Sequence, residues 1–203
     1  MSRLPLFTVK QVAKMAKNPA QGQLRIIGGQ WRGRRFEFPE GPGLRPTPNR
    51  VRETLFNWLQ AEFPGARVLD PFTGSGGLFL EALSRGAGPS LALDTNPQAV
   101  GQLRSNLQLL GGEQGHVERA NALDYLSQPA NQCYRVVFLD PPFGHDLLVP
   151  VCELLERQGW LQPGAWVYIE SEGAPSALAM PDNWRLHREK HAGQVWYALW
   201  ARP

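Results

Sequence analysis

The sequence predicts an α/β protein built on a mostly parallel, seven-stranded sheet with an antiparallel C-terminal edge, preceded by a small N-terminal β-hairpin. Three observations carry that expectation. From residue 66 onward, short apolar runs of strand length alternate with segments of helical apolar period. Three of those runs end on an aspartate (Asp70, Asp94 and Asp140), and the first opens into a glycine-rich turn. The last 20 residues hold two more strand-like runs, joined near Gly193. Alternating strands and helices give a parallel sheet covered on both faces, and two consecutive strands at the end add an antiparallel margin.

The elements follow in order. Residues 1–22 are polar and basic without a clear period, and read as a flexible tail. Residues 23–44 read as a docking extension, in which QLRII and GRRFEF flank GGQWR as two strands around a turn. A single hairpin is marginal alone, so it must pack on something else. Residues 45–203 form the main domain. The stiff connector GLRPTPNR leads into the helix VRETLFNWLQAEF, with Asn49 a candidate cap and Val51, Leu55, Phe56 and Leu59 on one face. ARVLD is a buried strand, GGLFLEALSRG a helix that stops at Gly86, and SLALD a second strand. The helix PQAVGQLRSNLQLLG tolerates Pro97 in its first turn. GHVERANA holds a third strand and YRVVFLD a fourth. LLVPVCELLERQGW is a helix in which Pro150 is a candidate irregularity, and AWVYIESE is a fifth strand. WRLHREKHA and QVWYALWAR close the chain as a strand pair.

With 203 residues, 42% of them hydrophobic and 19% charged, the chain can bury a real core as one domain with a small appendage. No apolar run reaches the length of an ordinary membrane-spanning helix, and the N-terminus lacks the apolar core of a secretory signal. Cys133 and Cys152 are too few and too isolated for a disulfide scaffold or a zinc cluster. A reducing cytoplasmic compartment, no membrane and no metal are the expectations. The net charge of +3 conceals an asymmetry. Residues 1–52 carry 11 Lys or Arg against 2 acids, a net +9, and the remaining 10 basic and 16 acidic residues leave −6. One end is suited to a polyanion, and the rest resembles an ordinary enzyme body.

VLDPFTGSGG places Gly74, Gly76 and Gly77 between a buried strand and a helix. Glycine permits close backbone approach to a ligand, and open α/β sheets bind ligands at the carboxyl ends of their strands. The spacing does not match a dinucleotide fingerprint, and no Lys followed by Ser or Thr is present to grip a triphosphate. Asp94 ends the next strand, 24 residues after Asp70, where a carboxylate can accept from two ribose hydroxyls. Asp70 suits a cofactor with a cationic centre and an amino group, and S-adenosylmethionine has both.

VVFLDPPFGHD is the most specific local signal. Pro141 and Pro142 have fixed φ angles and no N–H to donate. The Asp140 carboxylate and the Pro141 carbonyl thus stand as acceptors in a stiff frame, and Phe143 offers a flat apolar face. An exocyclic base amine has two protons to donate and an attached ring to stack. Its lone pair is delocalised, so orienting it and accepting its proton would assist transfer of a methyl group.

These motifs resemble the RsmD family, bacterial S-adenosylmethionine-dependent enzymes of the class I methyltransferase fold that make N2-methylguanine in 16S ribosomal RNA. The resemblance rests on RIIGGQWRGRRF at 25–36, RPTPNRVRETLFNWL at 45–59, VLDPFTGSGGLFLEALSRGA at 68–87, FLDPPF at 138–143 and NWRLHREKHAGQVWYALW at 183–200. It spans roughly residues 23–202. It implies that Asp70, Gly74, Ser75 and Gly76 line the methionine side of the cofactor, that Asp94 binds its ribose, and that Asn121 and Ala122 lie by the adenine. It implies that Asp140, Pro141, Pro142 and Phe143 hold the target guanine. Arg45, Pro46 and Thr47 would stand at the pocket mouth. Arg32, Arg34, Arg35, Arg50 and Arg52 would meet phosphates. A monomer acting on 16S RNA within an assembled or partly assembled 30S subunit is the implied partnership. Relatives often carry Glu at Asp94 and a small residue near Phe79, and neither difference removes a chemical group.

Three other readings compete. DNA adenine N6-methylation shares the Pro-Pro motif, but the chain has little room for a target-recognition domain. A nicotinamide oxidoreductase is disfavoured by the glycine spacing. A non-catalytic RNA-binding assembly factor is disfavoured by the intact cofactor and base positions. Trp31 could face RNA or pack on the hairpin. Trp58, Trp160, Trp184, Trp196 and Trp200 read as core or edge packing. His187 and His191 lie about 13 Å apart on a strand, a poor metal pair. His145 reads as a surface loop residue and Lys190 as a rim contact.

Overall fold

The structure, a computed structural model, describes residues 21–41 and 46–203. The first 20 residues of the expected tail, and Arg45, lie outside that range. Strands β1 (Gln21–Arg25) and β2 (Arg35–Pro39) pair antiparallel, with Leu24 opposite Phe36. Helix α1 (Asn49–Trp58) leads to β3 (Val68–Asp70), α2 (Gly77–Ser84), β4 (Ser90–Asp94), α3 (Pro97–Leu110) and β5 (Gly115–Arg119). The short α4 (Ala122–Leu126) precedes β6 (Tyr134–Leu139), α5 (Leu148–Arg157), β7 (Leu161–Ser171), β8 (Arg185–Ala192) and β9 (Val195–Arg202).

The seven-stranded sheet has the order β5-β4-β3-β6-β7-β9-β8, and β9 runs antiparallel to both of its neighbours. The chain steps outward from β3 to β5, then returns to lay β6 on the other flank of β3. The direction of crossover reverses between β3 and β6, which opens a crevice at their carboxyl ends. Period-two alternation fills both faces. Val68, Val136 and Phe138 point to the face covered by α1, α2 and α3, and Leu69, Val137 and Leu139 point to the face covered by α4 and α5.

The hairpin belongs to the first of these layers. Ile26, Trp31 and Phe36 are buried in one cluster with Leu55, Phe79 and Leu107. Trp31 therefore packs inward, only 6% exposed. The hairpin turn is fastened to α2 by polar groups. Glu81 accepts from the backbone N–H of Ile27 and of Gly28, both at 2.8 Å, and from Arg85 Nε at 2.9 Å. Ser84 Oγ accepts from Trp31 N at 2.9 Å and donates to the Gly28 carbonyl at 2.6 Å. Gly29, at φ 75°, lies so close to the Ser84 carbonyl that any side chain there would overlap it.

Two local expectations are corrected, and one short helix is added. Asn49 does not cap α1: the boundary residue is Pro48, and Asn49 lies inside the helix, its Oδ1 accepting from Arg52 Nη2 at 2.6 Å. Pro150 causes no break, because it falls in the first turn of α5, where backbone N–H groups have no partner in any helix. Helix α4 had no apolar period long enough to announce it. Its signal is Asn121, whose Oδ1 accepts from Leu123 N at 2.9 Å and Asp124 N at 3.3 Å.

Candidate active site

The crevice is built around the ends of β3 and β4. After Asp70 the chain turns back, and Thr73 N donates to the Leu93 carbonyl at 3.0 Å. Gly74 N donates to Asp94 Oδ2 at 2.9 Å, and Asn96 N donates to Oδ1 at 2.8 Å. Asp94 is thus clamped by two backbone donors, with lone pairs left on each oxygen for hydroxyl groups. Gly76 precedes α2 at φ 77°, and a Cβ there would meet Leu103 Cδ1 at 2.6 Å. Only glycine lets the loop lie flat on α3 at that point.

A trio of carboxyl groups stands at the carboxyl ends of three adjacent strands, and two of them, Asp70 and Asp140, line the crevice. Asp70 ends β3, Asp140 follows β6, and Glu170 is near the end of β7. Asp70 and Glu170 are buried, and Asp140 is half-buried. Burial raises the Asp70 carboxyl to about 7. The negative charges of Asp94 and Glu170 act in the same direction, and the polar groups of Thr73 and the Phe72 backbone oppose them. Burial also lifts Asp140 well above the usual carboxylate range, helped by the charges of Glu170 and Asp70 and opposed by a hydrogen bond from Thr47. Glu170 is raised by burial, against hydrogen bonds from Thr47 and Tyr168. Tyr168 donates its hydroxyl proton to Glu170 Oε1 at 2.9 Å. Desolvation and crowding of like charges therefore keep this trio proton-hungry.

The cleft lies among Leu24, Thr47, Arg52, Asp70, Gly74, Ser75 and Asp140, with about 480 Å³ of free space including the solvent at its mouth. It brings together Asp70, Gly74, Ser75, Thr47 and Asp140 from the sequence expectations. Gly76 shapes the loop from outside the lining, and Asp94 is tied to it through Gly74. Asn121 and Ala122 follow β5 along the same rim but do not line the cleft. The side-chain oxygen of Asn121 is committed to capping α4, and Ala122 is buried. Pro141 is buried, Pro142 is exposed, and Phe143 is 42% exposed. Gly144 at φ 76° and Asp146 at φ 47° turn the chain sharply after it, which leaves the Phe143 ring at the surface.

The arginines divide. Arg32, Arg34, Arg35 and Arg50 are exposed, with Arg34 Nη2 tethered to the Leu109 carbonyl at 3.0 Å and Arg35 Nη1 near Gln23 Oε1 at 3.3 Å. Arg52 does not face phosphates. It is 1% exposed, it lines the cleft, and Nη2 donates to the Arg25 carbonyl at 3.1 Å. The helix wheel explains this, because Arg52 falls within the arc spanned by Val51, Leu55, Phe56 and Leu59. That wheel was the sequence signal for Arg52. Glu170 had none, because an acid in a terminal run such as AWVYIESE reads as solvent-facing until β9 and Thr47 cover it.

Three kinds of comparison bear on this chain. The family model described as conserved hypothetical protein 95 matches residues 24–201. Ribosomal RNA small subunit methyltransferase D of Escherichia coli (strain K12) is 47% identical over 93% of this chain and 95% of its own length. The protein of the same name from Haemophilus influenzae is 45% identical over 89% of this chain and 95% of its length. A solved structure of the Escherichia coli protein yhhF superposes with a TM-score of 0.83 at 46% identity, covering 89% of this chain and 98% of that one.

Proposed function

This chain belongs to the conserved hypothetical protein 95 family, the RsmD family, and from that premise we infer that it is an S-adenosylmethionine-dependent methyltransferase of 16S ribosomal RNA. We propose the exocyclic N2 amine of a guanine as the acceptor. The single observation that carries this reading is Asp140, a desolvated carboxylate between a glycine-loop cleft and an exposed aromatic ring.

The residues fit an aminoacyl nucleoside cofactor. Buried Asp70 can hold an ammonium group, the loop Gly74–Gly76 admits close backbone approach, and Asp94 presents lone pairs for ribose hydroxyls. Asn121 and Ala122 would border its base. When bound, the cofactor supplies an electrophilic methyl group on a sulfonium. The chain's own part is to present the acceptor. Phe143 stacks the guanine, the Pro141 carbonyl and Asp140 accept the two N2 protons, and the stiff Pro-Pro frame fixes the amine's direction. The amine becomes acidic as its new bond forms, and Asp140 takes the proton.

Exposed Arg32, Arg34, Arg35 and Arg50 would meet RNA phosphates. We propose a monomer that works in the cytoplasm on an assembled or partly assembled 30S particle. Among the described residues, no helix is long and apolar enough to cross a membrane. The test is methyl incorporation from labelled cofactor into naked 16S RNA, assembled subunits and DNA, followed by nucleoside analysis. N2-methylguanine in subunits alone is the expected result. N6-methyladenine in DNA, or no incorporation anywhere, would replace this reading with one of its rivals.

A further inference from the structure

Arg52 presents an electrostatic problem that its own fold does not solve. The side chain is 1% exposed, and Nη2 is satisfied by the Arg25 carbonyl and by Asn49 Oδ1. Nε and Nη1 are buried without an acceptor among the described residues. A buried guanidinium with unmet N–H groups costs several kcal/mol unless an acceptor arrives. The nearby acids do not provide one. Glu81 is occupied by Ile27 N, Gly28 N and Arg85, and Glu53 is exposed on the outer side of α1. Desolvation depresses the Arg52 pKa, as expected for a cation held without a close counter-ion.

What Arg52 does adjoin is the cleft, whose lining also includes Asp70. A cation with unmet N–H groups and a buried acid without an ion-pair partner among the described residues line one small cleft and make a complementary pair of sockets. An α-amino acid group satisfies both, with its carboxylate at the guanidinium and its ammonium at the aspartate. A nucleic-acid phosphate fits less well, because Asp70 and Asp140 would repel it without gaining a cation in return. We propose that Arg52 anchors the α-carboxylate of the cofactor's amino-acid end, and that recognition of this zwitterion is what selects the cofactor. The proposal rests on the cofactor reading above.

Calorimetric titration of the full chain without RNA tests it. S-adenosylhomocysteine is compared with its decarboxylated analogue, which keeps the ammonium and lacks the carboxylate. The wild-type protein should bind S-adenosylhomocysteine ten- to a hundred-fold more tightly, roughly the range for hydrogen bonds to a charged group. Arg52→Met should lose most of that preference, chiefly through weaker binding of S-adenosylhomocysteine, and Arg52→Lys should keep part of it. Equal binding of both ligands by wild type would overturn the proposal without any variant having to fold. So would a preference that survives in Arg52→Met, or an Arg52→Met protein that loses RNA affinity but keeps both small-ligand affinities. A wild-type protein that binds neither ligand would remove the cofactor reading itself, a distinct and recognisable failure.

Discussion

Acids are withdrawn from water at two places, Glu81 at the hairpin junction and a trio beside the cleft, and they are in opposite condition. Glu81 at the hairpin junction accepts two backbone N–H groups and an arginine. Asp70, Asp140 and Glu170 at the cleft face one another, and their pKa values are driven up by burial and mutual repulsion. Both groups pass the simple test of a buried polar residue. Of these acids, only Glu81 has an ion-pair partner among the described residues. A buried acid paired with a cation fastens parts of the molecule together, whereas one without such a partner waits for a proton or a ligand.

The sharpest way to break this contrast is Asp140→Ala. Methyl transfer should fall by about a thousandfold, within the range for losing a positioned proton acceptor. Binding of S-adenosylhomocysteine should stay within about threefold, because the Asp70 and Asp94 contacts persist. A variant with full rate in a filter-binding incorporation assay would end the role given to Asp140. In the wild-type enzyme the rate should climb with pH above the usual carboxylate range, since the base must ionise against burial.

Next comes Glu81→Ala, which leaves two backbone donors and Arg85 without their acceptor. Loss of about 3 kcal/mol is expected, or about 6–12 °C in Tm, read by thermal unfolding. A change under 1 kcal/mol would mean that the junction is solvated and the contrast false.

Asp70→Asn should move the other way. A carboxyl raised in the folded state carries no penalty when the unfolded chain is also protonated, near pH 3.8 and below. The penalty grows as pH rises toward 7 and is complete above it. The amide variant should thus be more stable than wild type at pH 8, by about 2 kcal/mol, and the gain should vanish near pH 4. That is below the ~4 kcal/mol that three pH units represent, because the amide is a poorer acceptor for Thr73 and Phe72. A variant less stable at both pH values would show that Asp70 is paired after all.

The smallest effect is expected on the outer surface. Arg34→Ala with Arg35→Ala should weaken RNA binding and reduce the slope of log K against log salt by about 2. An unchanged slope would remove these two residues from the RNA surface.

Much of this was legible in the sequence, for a definite reason. Asp70, Asp94 and Asp140 each end an uninterrupted apolar run, so strand length and functional group are written together. The glycine loop is equally plain, because its backbone geometry demands its residue type. Arg52, Glu81 and Glu170 were not legible from charge alone. Each is a charged residue whose neighbours in space come from elsewhere in the chain, namely the hairpin over Arg52 and Glu81, and Thr47 and β9 over Glu170. Counting Arg52 among eleven basic residues treated it as a surface charge, although its place on the helix wheel argued otherwise.

The outer strand of the sheet has a consequence of a different kind. A sheet must stop somewhere, and its last strand exposes backbone donors and acceptors to any other strand that drifts past. Here that strand is β8, with Arg185, His187, Arg188, Lys190 and His191 all exposed and a slip in register between Leu186 and Arg188. Arg188 and Lys190 lie 5.9 and 5.8 Å from the ring centre of Trp58, which draws both cations onto the molecule's own flank. A second copy approaching edge to edge meets like charge and a kinked ladder. Part of the chain's basic character thus works against edge-to-edge pairing along β8.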